Sequence, residues 1–219
     1  MIEKPGKVVV IVPAYNEENQ IAAVLDVLTK VKIVNEIIVV NDGSKDNTSA
    51  MARSYNVKVI DRERNGGKGA AMQTGIESTD ADIIAFIDAD LIGLKPEHIE
   101  NLIKPLINGP DLMMTVGKFS GGRVSTDLAQ AIVPFISGQR VFRRKFLNGL
   151  PNLADAGFGV EVAITQHAKR SGFKVKEVLI SEVSQVMKEE KLGVIQGFKA
   201  RLKMYSDIAK QIAHKKGDL

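Results

Sequence analysis

The chain has 219 residues, of which 44% are hydrophobic and 26% charged, with no cysteine and a formal charge of +4. That length suits one large domain, and the ordinary composition excludes disorder and fibrous repeats. The missing cysteines exclude disulfides, zinc–thiolate sites and a thiol nucleophile, and the scattered His98, His167 and His214 do not suggest a histidine-rich metal cluster.

Aromatics are only 5% and do not interleave with the basic residues, so nucleic acid is not expected as a partner. The mild positive charge suits phosphate-bearing ligands instead. No run approaches the roughly 18 apolar residues that span a bilayer. The first apolar run, Val8 to Val12, is short and ends at Pro13, unlike a secretory leader. A water-soluble, cytoplasmic protein is expected.

Val8 to Val12 is apolar without alternation, the pattern of a central strand covered on both faces. Asn16 then reads as a helix N-cap, with Glu17 and Glu18 in the first turn and Ile21, Val24, Leu25 and Leu28 at helical spacing. The unit repeats: strand Glu36 to Val40, turn Asn41-Asp42-Gly43-Ser44, and a helix opening near Asp46. A strand at Val57 to Ile60 follows, then a Gly66-Gly67-Lys68-Gly69 turn entering a helix, then a strand from Ile83 to Ile87. A helix from Pro96 to about Asn108 and a strand from Leu112 to Val116 complete the first half. Strands alternating with helices predict an open, mostly parallel α/β sheet.

The stretch from Arg123 to Pro151 reads as basic and loop-rich. Gly159 to Arg170 and Leu192 to Ala213 read as helices around a strand at Val175 to Ile180. No repeat or linker divides the chain, so one domain is expected, with a ligand-binding half over residues 1–118 and a second half over 119–219.

Ligands of open α/β sheets bind beyond the carboxyl ends of the strands, and there this chain is polar. Asp88 and Asp90 directly follow a buried strand, so both carboxylates can converge on one point. Two hard oxygen donors without a soft ligand suit Mg2+ or Mn2+. Asp42, in a glycine-containing turn, is placed to accept a hydrogen bond from a base or ribose, although Asn-Asp-Gly is also ordinary turn chemistry. The glycines around Lys68 allow close backbone approach near a helix N-terminus, with the ammonium available to a diphosphate. Walker A and Gly-x-Gly-x-x-Gly spacings are absent, which disfavours P-loop and nicotinamide enzymes.

In order, Val12-Pro13-Ala14-Tyr15-Asn16-Glu17, Val40-Asn41-Asp42-Gly43-Ser44 with Asp46 and Thr48, Asn65-Gly66-Gly67-Lys68-Gly69 and Asp88-Ala89-Asp90 resemble the motifs of family 2 glycosyltransferases of the GT-A fold. The resemblance implies a Rossmann-like sheet flanked by helices, with an acceptor-side segment; the apolar stripe Val194, Phe198, Leu202, Tyr205, Ile208 and Ile212 adds a terminal amphipathic helix. It implies that Pro13, Ala14, Tyr15, Glu17, Asp42, Lys68 and Ala89 line the pocket of a UDP- or GDP-sugar, and that Asp88 and Asp90 hold the metal on its diphosphate. Ser137-Gly138-Gln139-Arg140 with Arg143-Arg144 is similar to a segment of dolichyl-phosphate mannose synthase relatives and, more loosely, of glucosyl-phosphoglycerate synthases. Both groups take phosphorylated acceptors, so Arg123, Arg140 and Arg143 are candidates to clamp an acceptor phosphate.

The first group would supply a glutamine shortly after the Asp-x-Asp, where Leu91-Ile92-Gly93 stands; the second a late histidine, absent around Ser184-Gln185-Val186-Met187. The third metal ligand stays open. Asp155-Ala156-Gly157-Phe158-Gly159-Val160-Glu161 resembles a segment entering an active-site helix. If transfer inverts the anomeric centre, Glu161, or failing it Asp155, would take the acceptor's proton.

The basic amphipathic C-terminal helix suits either a partner surface, including a second copy of the chain, or peripheral contact with an anionic membrane. The sequence thus points to metal-dependent transfer from a nucleotide-diphosphate sugar to a sugar, phosphate or lipid-phosphate acceptor. The alternatives are a sugar-phosphate nucleotidyltransferase and a non-catalytic nucleotide-sugar-binding module.

Overall fold

The structure, a computed structural model, describes residues 6–120 and 137–185. A seven-stranded sheet has the order β3-β2-β1-β4-β7-β6-β8. Its first four strands, β1 (Val8–Ala14), β2 (Glu36–Asn41), β3 (Lys58–Asp61) and β4 (Ile83–Phe86), run parallel. β7 (Arg140–Arg143) is antiparallel to both β4 and β6 (Leu112–Ser120), and β8 (Lys174–Ser181) pairs parallel with β6. The mostly parallel α/β sheet expected from the sequence is therefore present, with strands of both halves in one sheet.

The unalternating β1 run is explained by helices on both sheet faces. Val8, Val10 and Val12 pack with α1 (Ile21–Leu28) and α4 (Pro96–Asn108). Val9 and Ile11 pack with α3 (Lys68–Glu77) and α5 (Val160–Arg170). Every residue of β1 is buried. The resulting rigid layer fixes where the strands end, and hence where the loops beyond them emerge.

Two expectations need correction. The first helix begins at Ile21, not beside Asn16, which takes a left-handed φ of 55°. The amides of Asn16, Glu17 and Glu18 donate to Ser44 Oγ, Thr48 Oγ1 and Asp46 Oδ2, so these residues tie two loops together instead of opening a helix. The next helix, α2 (Thr48–Arg53), opens near Asp46 as expected, and Asp46 accepts from the Thr48 amide and hydroxyl just ahead of it.

The second correction is β7, inside the stretch read as loop. Val141 and Phe142 are both fully buried, so two adjacent apolar residues flanked by arginines make a central strand that neither periodicity nor composition announces. A small two-stranded sheet pairs β5 (Leu91–Ile92) with β9 (Ser184–Gln185) in antiparallel fashion. The helix expected from Leu192 to Ala213 lies outside the described residues.

Candidate active site

At the carboxyl end of β1, Pro13 and Ala14 are buried strand residues paired with Val40 and Asn41, while Tyr15 is 41% exposed. Glu17 and Glu18 follow in the loop laced to 44–48, where Glu18 also accepts from the amide of Asn47. The first two strand-end loops thus form one connected rim above β1 and β2.

Asp42 stands at the end of β2, as the sequence suggests, but its carboxylate faces inward and is only 2% exposed. It accepts the Gly67 amide at 2.8 Å and the Gly66 amide at 3.1 Å, and it ion-pairs with Arg62. Gly67, at φ +85°, turns the chain so that both amides meet one carboxylate, a conformation costly for any residue with a side chain. Asp42 therefore holds the glycine turn that launches α3. The expectation of a carboxylate open to a base or ribose is revised: the turn amides and Arg62 form an anion hole that Asp42 itself fills.

The first residue of α3 is Lys68. Its Nζ lies 2.6 Å from Asp88 Oδ1, just beyond β4, and 2.7 Å from Glu161 Oε1 in the first turn of α5. Asp88 Oδ2 accepts the Gln139 side-chain amide at 2.8 Å, and Gln139 Oε1 accepts the Ser137 hydroxyl at 3.2 Å. A side-chain carbon at Gly138 would overlap both the Asp88 carboxylate and the Lys68 ammonium, so the bare backbone is what lets β7's leading edge close over the pair. Burial works against the Lys68 charge, but the adjacent Asp88 and Glu161 carboxylates outweigh it and hold the ammonium well above its usual pKa.

Arg140 lies behind this cluster with no exposure. Its Nε donates to the Ser137 carbonyl and its Nη1 to Thr165 on α5. Burial pushes its pKa down to about 10, against the pull of the Glu161 and Asp88 carboxylates, so at neutral pH it is a fixed cation beneath two anions. That burial removes Arg140 as a direct clamp for an incoming acceptor.

Arg143 is also corrected. In the antiparallel register Arg140 pairs with Phe86 at the site end of β4, whereas Arg143 pairs with Ile83 at the far end. There Arg143 donates to the carbonyls of Leu106, Leu112 and Gly109, satisfying the end of α4 and the turn after it. Arg123 lies outside the described residues. Of the two proposed bases, Glu161 joins the cluster, and Asp155 is exposed on the turn before α5.

Ala89 is buried at 3%, and Asp90 is half-buried beside it. Among the described residues no three His, Cys, Asp or Glu side chains form a ready-made metal cage. The donor set at Asp88 and Asp90 is oxygen only, which fits a hard divalent ion that draws its remaining ligands from water and a diphosphate. His98 instead accepts the Lys95 amide at the start of α4, and buried His167 contacts the Phe146 carbonyl at 2.8 Å. The β5–β9 pairing brings Ser184–Gln185 alongside the residues that follow Asp90.

Gln139 escapes sequence reasoning: from β7's leading edge its side-chain amide donates to Asp88, and its one signal is its place in Ser137-Gly138-Gln139-Arg140.

The chain is 28% identical to the glucosyl-3-phosphoglycerate synthase of Mycobacterium tuberculosis, in a match covering 74% of this chain and 60% of that protein. An uncharacterized glycosyltransferase of Synechocystis is 37% identical over 48% of this chain and 35% of its own length. The chain therefore spans about 60% of the length of the first of these relatives. Crystal structures of the mycobacterial synthase superpose with a TM-score of 0.74 at 28% identity, covering 95% of this chain and 81% of that one, in complex with Mn2+ and UDP-glucose. A second superposes at 0.71 and 29% identity, covering 84% of this chain and 74% of that one, with Mn2+, UDP and glucosyl-3-phosphoglycerate bound. These similarities identify the sheet and its flanking helices as a GT-A fold. The family model described as glycosyl transferase family 2 matches residues 9–166, and the chain belongs to that family.

Proposed function

We propose that this protein transfers glucose from UDP-glucose to a small phosphorylated acceptor of the phosphoglycerate class, with Mn2+ or Mg2+. The observation that carries the reading is the meeting of Lys68, Asp88 and Glu161, from three separate segments, at the carboxyl edge of a GT-A sheet. The mycobacterial synthase of the same fold binds UDP-glucose with Mn2+, UDP with Mg2+, and phosphoglyceric acid or glycerol 3-phosphate. These ligands favour UDP over GDP and a soluble phosphate over a lipid.

In this reading Pro13, Ala14, Tyr15 and Glu17 border the nucleotide, and Asp42 shapes that border by fixing the glycine turn. Asp88 and Asp90 are the carboxylates assigned to the divalent ion, with Gln139 and Lys68 holding Asp88 from either side in the free protein. When bound, the ion stabilises the leaving nucleotide diphosphate. Lys68 adds positive charge where the diphosphate departs. An acceptor hydroxyl forms the new bond to the anomeric carbon as the bond to the diphosphate oxygen breaks, and Glu161 takes the hydroxyl proton. Arg123 is proposed to bind the acceptor phosphate.

The test is an NMR assay of UDP-glucose with Mn2+ in the presence of 3-phosphoglycerate, glycerol 3-phosphate or a polyprenyl phosphate. Glucosylation of 3-phosphoglycerate together with UDP release is expected. Pyrophosphate formed from a sugar phosphate and UTP would replace this reading with the nucleotidyltransferase one.

A further inference from the structure

The Lys68 contacts carry a consequence for the order in which ligands bind. Its ammonium ties Asp88 to Glu161 at 2.6 and 2.7 Å, with side-chain exposures of 26%, 11% and 12% for Lys68, Asp88 and Glu161. The other Asp88 oxygen is held by Gln139. A divalent cation seated on Asp88 and Asp90 would meet an ammonium already on the same carboxylate, and like charges at that separation repel strongly in a partly desolvated site.

We propose that Lys68 is an exchangeable counter-ion, which holds Asp88 and Glu161 together in the donor-free protein and moves to the donor diphosphate when metal and nucleotide arrive as a pair. The diphosphate gives the ammonium a new anionic partner, so leaving Asp88 costs little. The same movement releases Glu161 Oε1 from its ion pair, so the candidate base becomes available only when the donor is in place. Lys68 is thus a positioning residue that couples metal binding to nucleotide binding. The inference rests on the metal and nucleotide assignments of the proposed function, but its prediction is separate from them.

The experiment measures Mn2+ binding by electron paramagnetic resonance, with Mn2+ alone and with Mn2+ plus UDP, on wild type, Lys68→Met and Lys68→Arg. In the wild type Mn2+ alone should bind weakly and UDP should tighten it. Lys68→Met should bind Mn2+ alone about tenfold more tightly, the scale of one partly screened charge interaction, and should lose most of the tightening by UDP. Lys68→Arg, which keeps the charge, should retain weak binding of Mn2+ alone. Thermal melting supplies a second reading: Lys68→Met should melt lower than wild type and recover more of its stability on adding Mn2+. If Lys68→Met does not fold, Lys68→Gln, which keeps an amide donor for one carboxylate, answers the same question. Unchanged or weaker binding of Mn2+ alone in a folded, neutral variant would overturn the proposal while leaving the proposed function intact. Failure of the wild type to bind Mn2+ even with UDP would overturn both.

Discussion

Replacing Asp42 with alanine separates two roles that the residue's position allows. If Asp42 served only as a nucleotide contact, its loss would weaken donor binding and leave the free protein as stable as before. The structure instead gives it two backbone amides and the Arg62 guanidinium, at 2% exposure. Breaking a buried pair by removing one partner costs ~3–5 kcal/mol, and hydrogen bonds to a charged group contribute ~1.5–3 kcal/mol each, though not additively. The Arg62 side chain is 24% exposed and can recover some hydration, so the lower part of that range applies: about 3 kcal/mol. For a domain of this size that lowers Tm by roughly 6–12 °C. Urea unfolding at pH 7 without nucleotide gives the free energy, and calorimetry with UDP and Mn2+ gives the affinity. The account expects both to fall, the second because a loosened glycine turn no longer places Lys68. Asp42→Ala with wild-type stability and weakened UDP binding would refute the latch and restore the simple contact.

Other perturbations probe different parts of the site. Arg143→Ala should lower stability by ~2 kcal/mol, because carbonyls at the end of α4 lose their donor, and should leave UDP affinity unchanged; chemical denaturation and calorimetry read the two effects. Glu161→Gln should reduce the rate of glucosyl transfer by about a hundredfold or more while retaining donor binding, as a steady-state assay would show if this carboxylate takes the proton. Asp46 is held below the ordinary carboxyl range: burial pushes it up, but the Thr48 hydroxyl and amide and the Glu18 amide outweigh that. A depressed folded-state pKa contributes stability above the unfolded value of about 4 that is lost as pH falls through the folded one. The stability gap between wild type and Asp46→Asn should therefore narrow between pH 5 and pH 3 in urea titrations.

Much of the parallel half was legible because its signals are local. The β1 run predicts a strand buried on two faces, and Asp88-Ala89-Asp90 is read as strand-end carboxylates from the residues immediately before it. The parts that escaped depend on distant partners. Asn16 and the two glutamates after it look like the opening of a helix, and only the loop from Ser44 to Thr48 shows where their amides go. β7 has two apolar residues, too few for any period, and is a strand because β4 and β6 flank it. The arginines show the same limit. A basic run suggests a phosphate clamp, but the antiparallel register sends Arg140 beneath the carboxylates and Arg143 to the opposite end of the sheet.

The central claim is that Asp90 carries the divalent ion through which this chain binds a nucleotide-diphosphate sugar. Calorimetric titration of UDP-glucose into wild type and Asp90→Ala, each with Mn2+ and with EDTA, tests it most directly. The account predicts binding to the wild type with Mn2+ and its loss both on chelation and in the variant. Undiminished binding in EDTA, or in Asp90→Ala with Mn2+, would contradict it.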